Sequence, residues 1–221
     1  MKIAIIAALH GELRPLAREW KQLDADTWSG EIGEHSVLAI AGGVGQAAAA
    51  RATERALAEM RPDVLISYGW TGALTCAVKP PTACVINEVV DDSTGERFAS
   101  TMRDGYRLIT LDHVALSTEK RALAGKHQAV LVDMEAAAVA RIAAERQLRF
   151  YAFKGISDGY LDELPDFSRF MSNGKLKMPS FLAYVAVRPR YWGALRRLDK
   201  MTRAAAESLA KLVQESLRQQ L

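Results

Sequence analysis

The feature that most constrains this chain is a rhythm of short, unbroken apolar runs alternating with stretches of helical spacing. Ile3 to Ala8, Val37 to Ala41, Asp63 to Tyr68, Ala83 to Val90, Ala129 to Val132 and Phe150 to Ile156 read as strands. Runs that are apolar at nearly every position suit strands covered on both faces, as in a largely parallel sheet. Helices fall between them. Leu13, Leu16, Ala17 and Trp20 recur at helical spacing, an alanine-rich helix is expected from Gln46 to Met60 with Pro62 stopping it, and another from Glu135 to Arg146. Asp91 to Arg107 is polar and reads as a loop or hairpin. Beyond Pro165 the pattern is helical with irregular breaks. It ends in a helix from about Lys200, with Leu209, Leu212, Val213 and Leu217 as its apolar stripe. The alternation predicts an α/β fold: a central, mainly parallel or mixed sheet flanked by helices in three layers.

The 221 residues fit one domain spanning 1–221. Apolar residues make up 49% and charged residues 25%, the balance of an ordinary globular protein with a core large enough to need no disulfide or structural metal. A net charge of +3 does not by itself point to nucleic acid. Cys76 and Cys84 are expected to be buried thiols in a reducing compartment. The apolar run near the N-terminus, Ile3 to Leu9, is too short for a signal peptide or a bilayer span, so a cytoplasmic location is expected. Four scattered histidines have no metal-ligand spacing, and no metal or organic cofactor is expected.

In open α/β sheets, ligands bind beyond the carboxyl ends of the strands. Four places there are polar: Glu12 after the first strand, Gly42-Gly43-Val44-Gly45 after the second, Asp133-Met134-Glu135 after the strand at 129–132, and Ser157-Asp158 after the strand at 150–156. Singly, each has a plain structural use. Glu12 and Glu135 suit the first turn of a helix, where an acid complements the dipole. Asp158 suits a cap or turn, and the glycines a tight turn lacking either common nucleotide fingerprint. Together they place three carboxylates and a glycine turn on one rim.

In this order the blocks resemble the nucleoside phosphorylase and nucleosidase superfamily. MKIAIIAALHGEL, GGVGQAAAARAT and RPDVLISYGWTGAL are similar to segments of its methylthioadenosine/S-adenosylhomocysteine nucleosidases, and VLVDMEAAAVARIAAERQLRFYAFKGISDG carries their paired Met-Glu and Ser-Asp signatures. The resemblance covers roughly residues 1–90 and 129–160. It implies the three-layer nucleoside phosphorylase fold, a homodimer, and cleavage of the N-glycosidic bond of a purine nucleoside, adenine being the base. Glu12 then matches the catalytic acid that activates the attacking water, and Asp158 the acid that protonates the purine at N7. Met134 and Glu135 match the pair that holds the ribose, Ser157 supports Asp158, and Phe167 matches a phenylalanine flanking the base. Gly43, Trp70 and Thr71 belong to the two glycine turns that line the site. Protonation removes the difficulty of expelling an anionic adenine, and the sugar passes through an oxocarbenium-like state, as in glycoside cleavage.

Four departures accompany the match. Trp70 stands where the family has a small residue. The arginine with which the phosphorylases grip phosphate, just before that glycine, is Ser67 or Tyr68 here, so inorganic phosphate as co-substrate would rely on Arg14, Arg51 or the Thr71 hydroxyl. The segment between Val90 and Ala129, where His113 and Val114 fall, is shorter than in the nucleosidases. From Arg188 to Arg203 six basic residues face one acid, Asp199, and Tyr184, Tyr191 and Trp192 are interleaved. Two readings of residues 184–203 stay open: a solvated helix face, or a membrane-surface patch. The sequence looks closer to the hopanoid-associated phosphorylases of this superfamily than to the nucleosidases, which implies a large apolar 5′ substituent, as in adenosylhopane. The alternatives are a methylthioadenosine/S-adenosylhomocysteine nucleosidase, a catalytically silent nucleoside-binding protein, and a nucleotide or RNA binder. The last lacks the stacking platform and strong charge such binding uses.

Overall fold

The computed structural model of the chain describes residues 1–162 and 190–220, with residues 171–172 and 175–176 as a short strand pair. In order, the main elements are β1 (Lys2–Ala7), α1 (His10–Leu13), β2 (Lys21–Asp24), β3 (Thr27–Ile32), β4 (His35–Ala41), α2 (Gln46–Met60), β5 (Val64–Ala73), β6 (Ala83–Asp91), β7 (Arg97–Ala99), β8 (Tyr106–Thr110), α3 (Ser117–His127), β9 (Leu131–Asp133), α4 (Ala136–Glu145), β10 (Arg149–Asp158) and α5 (Arg190–Gln220).

The ten strands make one mixed sheet. β1 runs parallel to β4 on one side and to β5 on the other, and β3 and β2 continue antiparallel beyond β4. The long β5 serves three neighbours. It runs parallel to β1 and β10, and its end, Gly72 and Ala73, pairs antiparallel with β9. Because β10 also pairs with β6, β6 with β8 and β8 with β9, these strands close a circuit back to β5. Closure brings the ends of β5, β9 and β10 side by side, which is what assembles the site.

Helices cover both faces. α2 and α4 pack through Ala49, Ala52, Ala56 and an almost continuous buried run, Ala136 to Ala140, against Ala4, Leu38, Leu65 and Ala152. Small side chains let helix and sheet approach closely. On the other face Leu13 and Leu16 join Leu209, Val213 and Leu217 of α5 over Ile5, Ile66 and Phe153. The three-layer α/β arrangement expected from the apolar rhythm is the one observed.

Several elements differ from expectation. The helix read from Leu13 to Trp20 is a single turn, α1, followed by turns; Leu13, Leu16 and Ala17 are still buried, but Pro15 has no amide with which to carry a helix on. β5 does not stop at Gly69 but continues to Ala73, held by β10 and β9. The polar stretch after Asp91 holds the expected hairpin, β6–β7, and also β8. The β2–β3 hairpin and α3 lay outside the expected elements, and α5 starts ten residues before Lys200. Cys84 is buried, as expected, whereas Cys76 is exposed, and both are free thiols.

Candidate active site

A cavity of about 560 Å³ opens where the ends of β1, β4, β5, β9 and β10 meet. Its wall includes Glu12, Val44, Trp70, Thr71, Lys120, Met134, Glu135, Ser157 and Asp158, with Leu198 and Thr202 contributed by α5. The volume suits a small-molecule ligand.

Glu12 is buried just after β1 and folds back on its own turn. Oε2 accepts from the amides of Ala8 and Leu9, and Oε1 from the amide of Trp70, each at 2.8 Å. Burial pushes its carboxyl above the usual range, although the three amides and the nearby Lys154 pull the other way. A Cβ on Gly69 would lie 2.7 Å from Glu12 Oε1, so the strand can pass this carboxylate only as glycine.

Glu135 caps the approach to α4. Its Oε1 accepts from the amide of Gly45 at 2.7 Å, joining the glycine turn to this carboxylate. Its carboxyl is pushed up to about 8, first by burial and then by the Asp133 charge. Between the carboxylates lies Lys154, 1% exposed, in the middle of β10. Its ammonium contacts Asp133 Oδ2 at 2.8 Å and donates to Ser67 Oγ at 3.0 Å. Burial alone would lower it, but Asp133, Glu135 and Glu12 surround it and raise it.

Asp158 ends β10 beside the end of β5, at a register shift between Ile156 and Asp158. Lys120 of α3 donates to its Oδ2 at 2.6 Å and to the Gly159 carbonyl at 2.9 Å. Ser157 Oγ lies 2.7 Å from Oδ1 and 3.2 Å from the Thr71 carbonyl; the hydroxyl has one proton, and the shorter contact takes it. A Cβ on Gly72 would sit 3.0 Å from Asp158 Oδ2.

Eight of the nine residues singled out in the sequence fall within the described chain, and seven of these line the one cavity: Glu12, Trp70, Thr71, Met134, Glu135, Ser157 and Asp158. Gly43 does not. Its amide donates to the Ala8 carbonyl, and it is Val44 that lines the cavity and Gly45 that touches Glu135. Phe167 lies outside the described residues. Thr71 spends its hydroxyl proton on the Val132 carbonyl at 2.7 Å. Trp70 turns its indole to α5, donating from Nε1 to the Thr202 carbonyl at 3.0 Å. His113 and Val114 also line the cavity. Arg14 and Arg51 line two other cavities.

Two residues of the cluster went unnoticed in the sequence. Lys154 left a signal, a charge inside an otherwise apolar strand, where a buried cation requires partners. Lys120 left none, sitting on a helix whose apolar pattern is weak. Of the 184–203 stretch, residues 190–203 are described, and Tyr184 and Arg188 lie outside. Trp192, Arg196, Arg197, Lys200 and Arg203 are exposed on α5. Among the described residues no helix is long and apolar enough to cross a membrane.

Known proteins share this architecture. A methylthioadenosine/S-adenosylhomocysteine nucleosidase from Neisseria meningitidis, solved with methylthio-immucillin-A, superposes with a TM-score of 0.73 at 20% identity, covering 98% of each chain. An S-adenosylhomocysteine nucleosidase from Streptococcus pyogenes, solved with 5-methylthiotubericidin, gives 0.74 at 17% identity over 100% of this chain and 98% of its own. The futalosine hydrolase of Helicobacter pylori gives 0.73 at 14% identity over 98% and 97%. At these identities the likeness is one of fold. The sequence itself matches the phosphorylase superfamily over residues 2–115 and, in an overlapping segment, 94–186. With the match running over most of the sequence and the same fold in three solved relatives, the chain belongs to the phosphorylase superfamily.

Proposed function

We propose that this protein cleaves the N-glycosidic bond of a purine nucleoside, adenine being the base, with water as the nucleophile. The observation that carries the reading is the convergence of Glu12, Glu135 and Asp158 from three separate segments on one cavity. A binding protein has little use for so many carboxylates withdrawn wholly or partly from solvent, each of which costs desolvation. Glu12, held in place by three amides, takes the proton of the attacking water. Glu135 accepts hydrogen bonds from the ribose hydroxyls, with Met134 beneath the sugar. Asp158 and its partners face the leaving base, where a delivered proton is worth roughly 10²–10⁴-fold. Water is favoured over phosphate because Lys120, the lysine in the cavity wall, is engaged by the Asp158 carboxylate, and the buried Lys154 by Asp133. The solved relatives support the substrate class, since two of them hold nucleoside analogues.

On the 5′ side the reading is an apolar group larger than methylthio. Leu9, Trp70 and Leu198 make an apolar stretch of the wall, and Leu9 is 42% exposed at its edge. The second reading, a methylthioadenosine/S-adenosylhomocysteine nucleosidase, draws on those same relatives. One experiment separates them: incubation with adenosine, methylthioadenosine, S-adenosylhomocysteine and an adenosyl-lipid, with and without inorganic phosphate, measuring released adenine. Faster release from the lipid-tailed nucleoside, without need of phosphate, is expected. A clear preference for methylthioadenosine favours the second reading, strict dependence on phosphate overturns hydrolysis, and no base from any of them leaves a silent nucleoside-binding protein.

A further inference from the structure

A second cavity, of about 1100 Å³, lies back to back with the first, between the α1 turn and α5. The turn divides its residues between the two: Leu9 and Glu12 line the first, and His10, Gly11, Leu13 and Arg14 the second. α5 does the same, with Leu198 and Thr202 in the first wall and Lys200 and Arg203 in the second. The charge in the second wall is lopsided. Arg14, Arg18, Lys200 and Arg203 stand there against one acid, Glu207. Glu207 pairs with Arg18 at 2.9 Å, and Arg203 pairs along its own helix with Asp199 at 3.0 Å. The side chains of Arg14 and Lys200 have no hydrogen-bond or ion-pair partner among the described residues. A cleft lined by one sign of charge focuses its field and concentrates counter-ions. The same cleft has an apolar side, made by Leu13, Ala17 and Trp28, whose indole meets the His10 ring edge-on at 5.3 Å between centroids.

We propose that this second cavity binds a phosphate ester. Arg14 and Lys200 hold the phosphate, with Arg18 and Arg203 beside them, and the organic part of the ester lies against Trp28. A phosphate ester is an anion at any working pH and offers oxygens in several directions. That suits a guanidinium fork and an ammonium arriving from two different elements. The cavity is larger than a bare phosphate ion fills, and its apolar side gives the rest of an ester somewhere to pack. Such an ester is either free in solution or the headgroup of an anionic lipid, and both present the same group. The site is not one for a phosphate nucleophile, because Glu12, Glu135 and Asp158 all belong to the other cavity. It therefore stands apart from the reading of that cavity as one for nucleoside cleavage.

The test has two arms at constant ionic strength. One measures binding of phenyl phosphate by calorimetry. The other measures co-sedimentation with vesicles of phosphatidylcholine, alone or mixed with phosphatidylglycerol. The wild type is compared with the double variant Arg14→Gln/Lys200→Gln. A second double variant, Arg121→Gln/Lys211→Gln, removes the same charge at exposed positions outside the cavity. All four positions are exposed, so thermal midpoints should stay level and show that the fold is kept. The first variant is expected to lose at least about 10-fold in affinity, since each contact removed is charge-assisted. The second should bind as the wild type does. Binding of phenyl phosphate assigns the site to a soluble ester, and binding only to vesicles containing phosphatidylglycerol assigns it to a lipid headgroup. No binding of either probe overturns the proposal, as does a first variant that binds no worse than the second. Neither arm measures base release, so a failure of the nucleoside reading is a separate result.

Discussion

The amide of Trp70 donates to Oε1 of Glu12 at 2.8 Å, across 58 residues of sequence. That single bond ties the turn after β1 to the end of β5. It also explains why the residue before Trp70 is glycine: any side chain at position 69 would enter the carboxylate's own space.

Gly69→Ala is therefore expected to displace Glu12 rather than unfold the chain. Base release should fall at least about 10-fold, since misplacement by an ångström is costly to a positioned group. Glu12→Gln should cost about 100-fold or more while keeping one amide oxygen as acceptor for the amides of Ala8 and Leu9. Initial rates and thermal midpoints of both variants check this. Wild-type turnover in either would count against Glu12 as the base.

Glu135 makes a prediction about pH. Its carboxyl is pushed up to about 8 in the fold, above the roughly 4.3 of an unfolded chain. A raised folded value means stability that is fully present below about pH 4 and lost as pH climbs through about 8. Thermal midpoints should therefore drop over that range, and Glu135→Gln should flatten the drop. Since the ionised form accepts hydrogen bonds best, KM for adenosine should improve as pH passes about 8. An identical slope in Glu135→Gln would assign the pH dependence elsewhere.

The ribose reading has its own check. If Glu135 accepts from the sugar hydroxyls, a 2′-deoxynucleoside leaves a buried carboxylate short of a partner, at a cost of about 1–3 kcal/mol. Its kcat/KM should be about 10-fold or more below that of the ribonucleoside. Equal values for the two sugars would remove Glu135 from that role.

Tyr68 offers a prediction on stability alone. It is 1% exposed, and its hydroxyl has no hydrogen-bond partner among the described residues. Tyr68→Phe removes that unmet donor without opening a cavity, so stability should stay level or rise by up to about 1 kcal/mol in chemical denaturation. A loss beyond about 1 kcal/mol would mean the hydroxyl is satisfied.

The order of elements and the cavity-lining carboxylates were legible in the sequence because both are local. Strands such as Ile3 to Ala8 announce themselves by unbroken apolar runs, and an acid just past such a run is placed by the strand itself. α2 was legible to the residue, between the glycine turn and Pro62. The strands β2, β3 and β8 were not, because edge and circuit-closing strands are specified by partners far along the chain more than by their own residues.

What the sequence determined by itself, then, was the α/β class and the positions of Glu12, Glu135 and Asp158. The tertiary structure alone decided which charges those carboxylates meet. Lys120 enters the cavity wall from a weakly patterned helix, and Lys154 is buried in the interior of a strand. Only closure of the β5–β9–β8–β6–β10 circuit brings their ammonium groups against Asp158 and Asp133. Periodicity encodes which face of an element is buried. It does not encode which two buried charges will stand 2.6 Å apart, because that distance is set by packing between segments that share no local pattern.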